Sequence, residues 1–157
     1  MTMIVQPRDN RGFLMIPQMP EGVGYYTYGN PGSGVNQYVH PRMLTLVFAV
    51  EREWQTMDSR RFGVGDISSA GGTAVNDHES HRTGLDVDIW PLRKNGKHVA
   101  CVYQDKDYDR SATERLINLF KALAPVPLLI LFNDSKIAGV RPWPRHDDHF
   151  HVQLKLR

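Results

Sequence analysis

The chain has a single cysteine, Cys101, so no disulfide can form within it and its 157 residues must be held by a packed core. It lacks any uninterrupted apolar run near the ~18 residues that a membrane helix requires, which predicts no insertion into a bilayer. It also lacks a block of like charge. A net charge of +2, spread along the chain and without aromatics interleaved among Arg and Lys, predicts no nucleic-acid partner. Where an export signal needs a continuous apolar stretch, the N-terminal segment carries Arg8, Asp9, Asn10 and Arg11, so no signal peptide is expected. With 41% hydrophobic and 23% charged residues, the composition fits one ordinary globular domain over 1–157. Cys101, between Ala100 and Val102, reads as a packed thiol rather than a nucleophile.

The first forty residues are rich in Gly, Pro, Tyr and Asn and predict loops with short strands. Pro41 then opens a helix through Trp54, with Leu44, Val47, Phe48 and Glu51 at helical spacing. Phe62 to Ser68 reads as a strand leading into a small-residue loop, and Leu85, Val87 and Ile89 alternate with Asp86, Asp88 and Trp90 in a second strand. Asn95-Gly96 predicts a tight turn and a hairpin into His98–Tyr103. Ser111 to Glu114 has the capping-box pattern, and a stripe of Leu116, Ile117, Phe120 and Leu123 stops before Pro125. Val126–Phe132 suits a buried strand, and the C-terminus alternates cleanly: Phe150, Val152, Leu154 and Leu156 against His149, His151, Gln153 and Lys155. The expected architecture is α+β, a small, mainly antiparallel sheet with helices packed on one face.

Chemistry concentrates in two segments, Ser80–Asp88 and His146–His151. Residues two apart on a strand share a face, so Asp86 and Asp88 project together, as do His149 and His151. If those strands are neighbours, imidazoles meet carboxylates, with His81 reaching in from the loop and Gly84 allowing backbone and metal to lie close. Two imidazoles and one carboxylate fill three corners of a zinc site and leave the fourth for an activated water. Spacing alone does not choose between His149 and His151 as ligand. A surplus imidazole is what a hydrolytic site needs as a proton carrier and a closed structural site does not. His40 and His98, isolated in the sequence, read as ordinary surface or packed histidines. A metal-dependent nuclease and a silent binding module remain as competing readings of the same residues.

The run Ser80-x-His81-x-x-Gly84-x-Asp86-x-Asp88, followed by a terminal His-x-His on a strand, resembles the LAS metallopeptidases, the group of lysostaphin-type and D-Ala-D-Ala metallopeptidases. Within it the chain is most similar to the penicillin-insensitive murein endopeptidases, through Gly65-Asp66, Ala70-Gly71-Gly72, Gly96-Lys97-His98-Val99, Val140-Arg141-Pro142-Trp143 and His146-x-x-His149-x-His151-Val152, from about residue 38 onward. The resemblance implies a LAS fold and a zinc ion on His81, Asp88 and His151, with His149 as base and His146 as its transition-state partner. It implies hydrolysis of the D-Ala–meso-diaminopimelate crosslink between peptidoglycan stem peptides, the alternative being a D,D- or L,D-carboxypeptidase on those stems. It also offers a second metal through His78 and His98, although Asn95 stands where the family has an aspartate. Action in the periplasm or wall, without a visible signal, implies delivery by phage lysis or a secretion system, or a mature form.

Overall fold

A computed structural model describes residues 6–18, 20–29, 33–74 and 80–156. Proline suits a first helical turn because the N–H it lacks would have no partner there, and Pro41 opens α1 (Pro41–Met57). His40 caps it, its Nδ1 accepting from the Arg42 backbone N–H at 3.1 Å. The buried face is Met43, Leu46, Val47, Val50 and Trp54. The predicted stripe is therefore rotated: Leu44 and Phe48 are only half-buried at its flank. The buried Trp54 indole, bonded to Arg60 O at 2.5 Å, belongs to the face that wins.

The second helix, α2 (Arg110–Leu123), ends before Pro125 as expected and buries Leu116, Ile117 and Phe120. It starts earlier than the capping box predicts. Asp109 is the cap, its carboxylate accepting from Ala112 N–H at 3.0 Å, and Ser111 lies inside the first turn. An ionised carboxylate is the stronger partner for a helix N-terminus.

A two-stranded antiparallel pair joins β1 (Leu14–Met15) to β3 (Tyr38–Val39). The remaining strands, β2 (Tyr25–Thr27), β4 (Phe62–Val64), β5 (Asp86–Trp90), β6 (Leu128–Leu131) and β7 (Phe150–Leu154), form one sheet in the order β2-β4-β5-β7-β6. The fold is α+β. Its sheet is mixed, because β2 runs parallel to β4 while the other pairings are antiparallel.

Register assigns the faces. Val64 opposes Ile89, which opposes Phe150, and Val87 opposes Val152, so these apolar residues share one face. The helices cover it: the Phe120 ring lies 6.3 Å from Phe62 and 6.0 Å from Phe150, and Phe48 lies 6.5 Å from Tyr25. The other face carries Asp86 opposite Gln153 and Asp88 opposite His151.

Two sequence expectations fail in physically instructive ways. The strand predicted over Phe62–Ser68 ends at Val64, because Gly65 N–H donates to Asp88 O at 2.8 Å while Asp88 N–H donates to Asp66 O at 3.0 Å. Two residues face one, the pattern of a β-bulge. The hairpin into His98–Tyr103 does not form. The turn at Asn95-Gly96 exists, with Gly96 at φ +67°, but both edges of β5 are taken by β4 and β7, leaving no vacant edge for a returning strand. Val99 and Val102 are exposed, and Cys101 alone of that segment is buried. Burial raises the Cys101 thiol pKa, which keeps it protonated and inert.

Candidate metal centre

Asp88 sits mid-way along β5, directly opposite His151 of β7, and the bulge at Gly65-Asp66 grips its backbone on the other side. His151 Nδ1 lies 2.9 Å from Asp88 Oδ1. His81 reaches the same carboxylate from the loop before β5, Nε2 to Oδ2 at 3.2 Å. It does so from a left-handed backbone, φ +64°, a conformation that non-glycine residues adopt rarely and that clusters at functional sites. The donor atoms of His81, Asp88 and His151 all lie within 4.8 Å of one another. Two donors each about 2 Å from a tetrahedral ion would be roughly 3.3 Å apart, so the trio is gathered closely enough that small shifts would let it hold a divalent cation.

The outer partners fit as well. A ligating imidazole needs its second nitrogen anchored, commonly by a carbonyl or carboxylate. His81 Nδ1 lies 3.2 Å from Ile67 O, a carbonyl placed just past the bulge. His151 Nε2 lies 3.1 Å from Asp86 Oδ1, and Asp86 is itself held by Gln153 Nε2 at 2.8 Å and Thr83 Oγ1 at 3.2 Å. Burial opposes the charge on Asp88, but hydrogen bonds from His151 and His81 and Coulombic attraction from His81 and His149 outweigh it and hold the carboxyl far below its usual range. Asp86 is lowered through the same contest, burial against the His151 contact. Burial disfavours the His151 imidazolium, yet Asp86 and Asp88 lift its pKa to about 9.

The trio opens into a cavity of about 520 Å³ whose walls include His146, His149, Trp143, Arg145 and Gln153. His149 Nε2 stands 3.7 Å from Asp88 Oδ1 while its Nδ1 contacts Asp148 Oδ1 at 2.8 Å. Burial lowers the His149 pKa, but the contact with Asp148 and the charge of Asp88 overcome it and raise the net value. The His146 ring centroid is 4.7 Å from that of His149, and its Nδ1 is 2.8 Å from Pro144 O. Burial leads in lowering the His146 pKa.

The predicted residues His81, Asp88, His149, His151 and His146 thus meet at one cavity. His98 stands apart, exposed and stacked on Tyr26 at 3.7 Å, and among the described residues no group of three metal donors includes it. His78 lies outside the described residues. The role given to Gly84 needs correcting: at φ +70° a Cβ there would meet His40 N at 2.6 Å and the Phe13 ring at 3.1 Å, so its bareness serves backbone packing, not the metal. Sequence reasoning missed Asp86 as the partner of His151. The alternation of β5 put it on the right face, but only the β5–β7 register shows which histidine it meets.

Residues 21–119 match the family model for penicillin-insensitive murein endopeptidase. The chain is 29% identical to the penicillin-insensitive murein endopeptidase of Haemophilus influenzae over 86% of its own length and 57% of that protein's. It is 27% identical to the enzymes of that name from Salmonella typhimurium and Salmonella newport, over 74% of this chain and 53% of each. It therefore spans about half the length of these curated relatives. With more than half of its residues inside the family match, the chain belongs to the penicillin-insensitive murein endopeptidase family.

Proposed function

We propose that this chain is a zinc-dependent murein endopeptidase of LAS fold that hydrolyses the D-Ala–meso-diaminopimelate crosslink between stem peptides in the cell wall. The observation that carries the reading is the trio His81, Asp88 and His151, both imidazoles anchored from behind, opening on a cavity with two further histidines. A divalent ion held there supplies Lewis-acid activation of water and of the scissile carbonyl.

The protein's own residues do the rest. His149, fixed by Asp148 and 3.7 Å from Asp88, takes the proton of the attacking water and returns it to the leaving amine. His146 uses Nδ1 on Pro144 O, which leaves Nε2 for the substrate. Negative charge growing on the carbonyl oxygen favours the protonated form of that ring and gains a donor from it. No covalent acyl-enzyme is needed.

Purified protein, with bound metal quantified, should convert crosslinked dimers of isolated sacculi into monomers on zinc supplementation. Intact dimers would refute the reading, and loss of a single alanine without loss of dimer would replace it by a carboxypeptidase.

A further inference from the structure

His146 N–H donates to Trp143 O at 3.3 Å, closing a tight turn with Pro144 and Arg145 at its centre. Arg145 has φ +66°. Proline followed by a positive φ is the pattern of a type II turn, whose second central position belongs by preference to glycine or asparagine. Together with His81 it is one of the two positive-φ non-glycine residues among those described, and both line the cavity into which the trio opens.

Packing does not explain an arginine in that place, since Arg145 is exposed. Nor does an ion pair: like Arg8, Arg42, Arg52, Arg61, Arg82 and Arg141, Arg145 makes no salt bridge or side-chain hydrogen bond among the described residues, but it alone of these combines that with a positive φ. Nearby acids are committed elsewhere: Asp148 to His149, Asp147 to Asn133, and Asp86 and Asp88 to His151. What Arg145 does border is the cavity into which the metal trio opens, beside Trp143 and His146. Strained backbone positions cluster at ligand clamps and active sites, and this one places an unpaired guanidinium on the cavity wall.

The geometry points to Arg145 as a substrate-binding residue that recognises a free carboxylate next to the scissile amide. The inference rests on the endopeptidase reading for its substrate. In a D-Ala–meso-diaminopimelate crosslink the carbon bearing the amide nitrogen also bears a free carboxylate, and a guanidinium is the natural partner for that planar anion. The residue would thereby select diaminopimelate crosslinks with that carboxylate free over those in which it is amidated.

The test is equilibrium binding of two crosslinked stem-peptide dimers, carboxylate-free and carboxamide, to the metal-free protein, which cannot turn them over by the proposed route. Wild type should prefer the free carboxylate by about 10-fold to 100-fold, the range of a charge-assisted hydrogen-bonded pair. Arg145→Gly should erase that preference while keeping the affinity for the carboxamide, and Arg145→Lys should retain part of it. Because glycine suits the turn, Arg145→Gly should melt no lower than wild type, which excludes unfolding as the cause. An undiminished preference in Arg145→Gly, or no preference in wild type, would overturn the assignment. Dimer loss from sacculi judges the endopeptidase reading separately: cleavage without carboxylate preference sinks Arg145 alone, and preference without cleavage sinks the endopeptidase alone.

Discussion

His151 is held between two carboxylates of one strand, its Nε2 3.1 Å from Asp86 and its Nδ1 2.9 Å from Asp88. Asp86 thus leaves Nδ1 as the nitrogen that would face a metal held by the trio. Removing such an outer partner weakens metal binding by about 10-fold to 100-fold. Asp86→Ala should show that loss in a competition titration against a chromophoric zinc chelator, and unchanged affinity would mean that Asp88 and the loop orient His151 unaided.

The histidines should separate by role. His151→Ala removes a donor from the trio and should lose stoichiometric zinc, whereas His149→Ala leaves the trio intact and should keep it. Loss of a positioned proton carrier slows turnover by about 10²–10⁴-fold. Metal analysis and muropeptide release on the same preparations check both halves. A zinc-free His149→Ala protein would make that residue a ligand instead.

What the sequence made legible follows from periodicity. Val87 and Ile89 on β5, and Phe150, Val152 and Leu154 on β7, are buried as their alternation predicts, because a period of two leaves no other way to bury one face. That pattern also put Asp86, Asp88, His149 and His151 on functional faces. It could not show that β5 and β7 are neighbours, or that Asp88 lies opposite His151, since adjacency is a property of the whole sheet. The failed hairpin has the same origin: local turn chemistry at Asn95-Gly96 is correct, but the edge it needed is occupied. The bulge at Gly65-Asp66, which carries Ile67 O to His81, has no local signature beyond a glycine.

Gly84 links fold and site. Its carbonyl accepts from His40 N–H at 3.0 Å, and its φ of +70° with a Cβ position 2.6 Å from His40 N leaves no room for alanine. Gly84→Ala should lose about 1–3 kcal/mol in denaturant unfolding, the range for a strained backbone position. Zinc affinity should fall as well, because Gly84 lies between His81 and Asp86. A stable variant with normal zinc would show that the loop can shift without disturbing the trio.

Acid should weaken the junction of the two helices. Arg60 bonds Asp58 at 2.6 Å beyond the end of α1 and Asp109, the cap of α2, at 2.9 Å. The hydrogen bond from Arg60 leads in lowering the Asp58 pKa; for Asp109 burial opposes the shift, but the Ala112 N–H and Arg60 outweigh it. Both carboxyls therefore have folded pKa values below the ordinary 3.8. Groups of this sign contribute stability that is fully present above the unfolded value and is lost as pH falls through the folded one. Unfolding free energy should accordingly decline as pH drops below the ordinary carboxyl value of 3.8, and Arg60→Met should flatten the decline while lowering stability at neutral pH by about 1–3 kcal/mol. Urea unfolding of both proteins across the acid range reads this directly, and parallel pH profiles would show that the acid lability lies elsewhere.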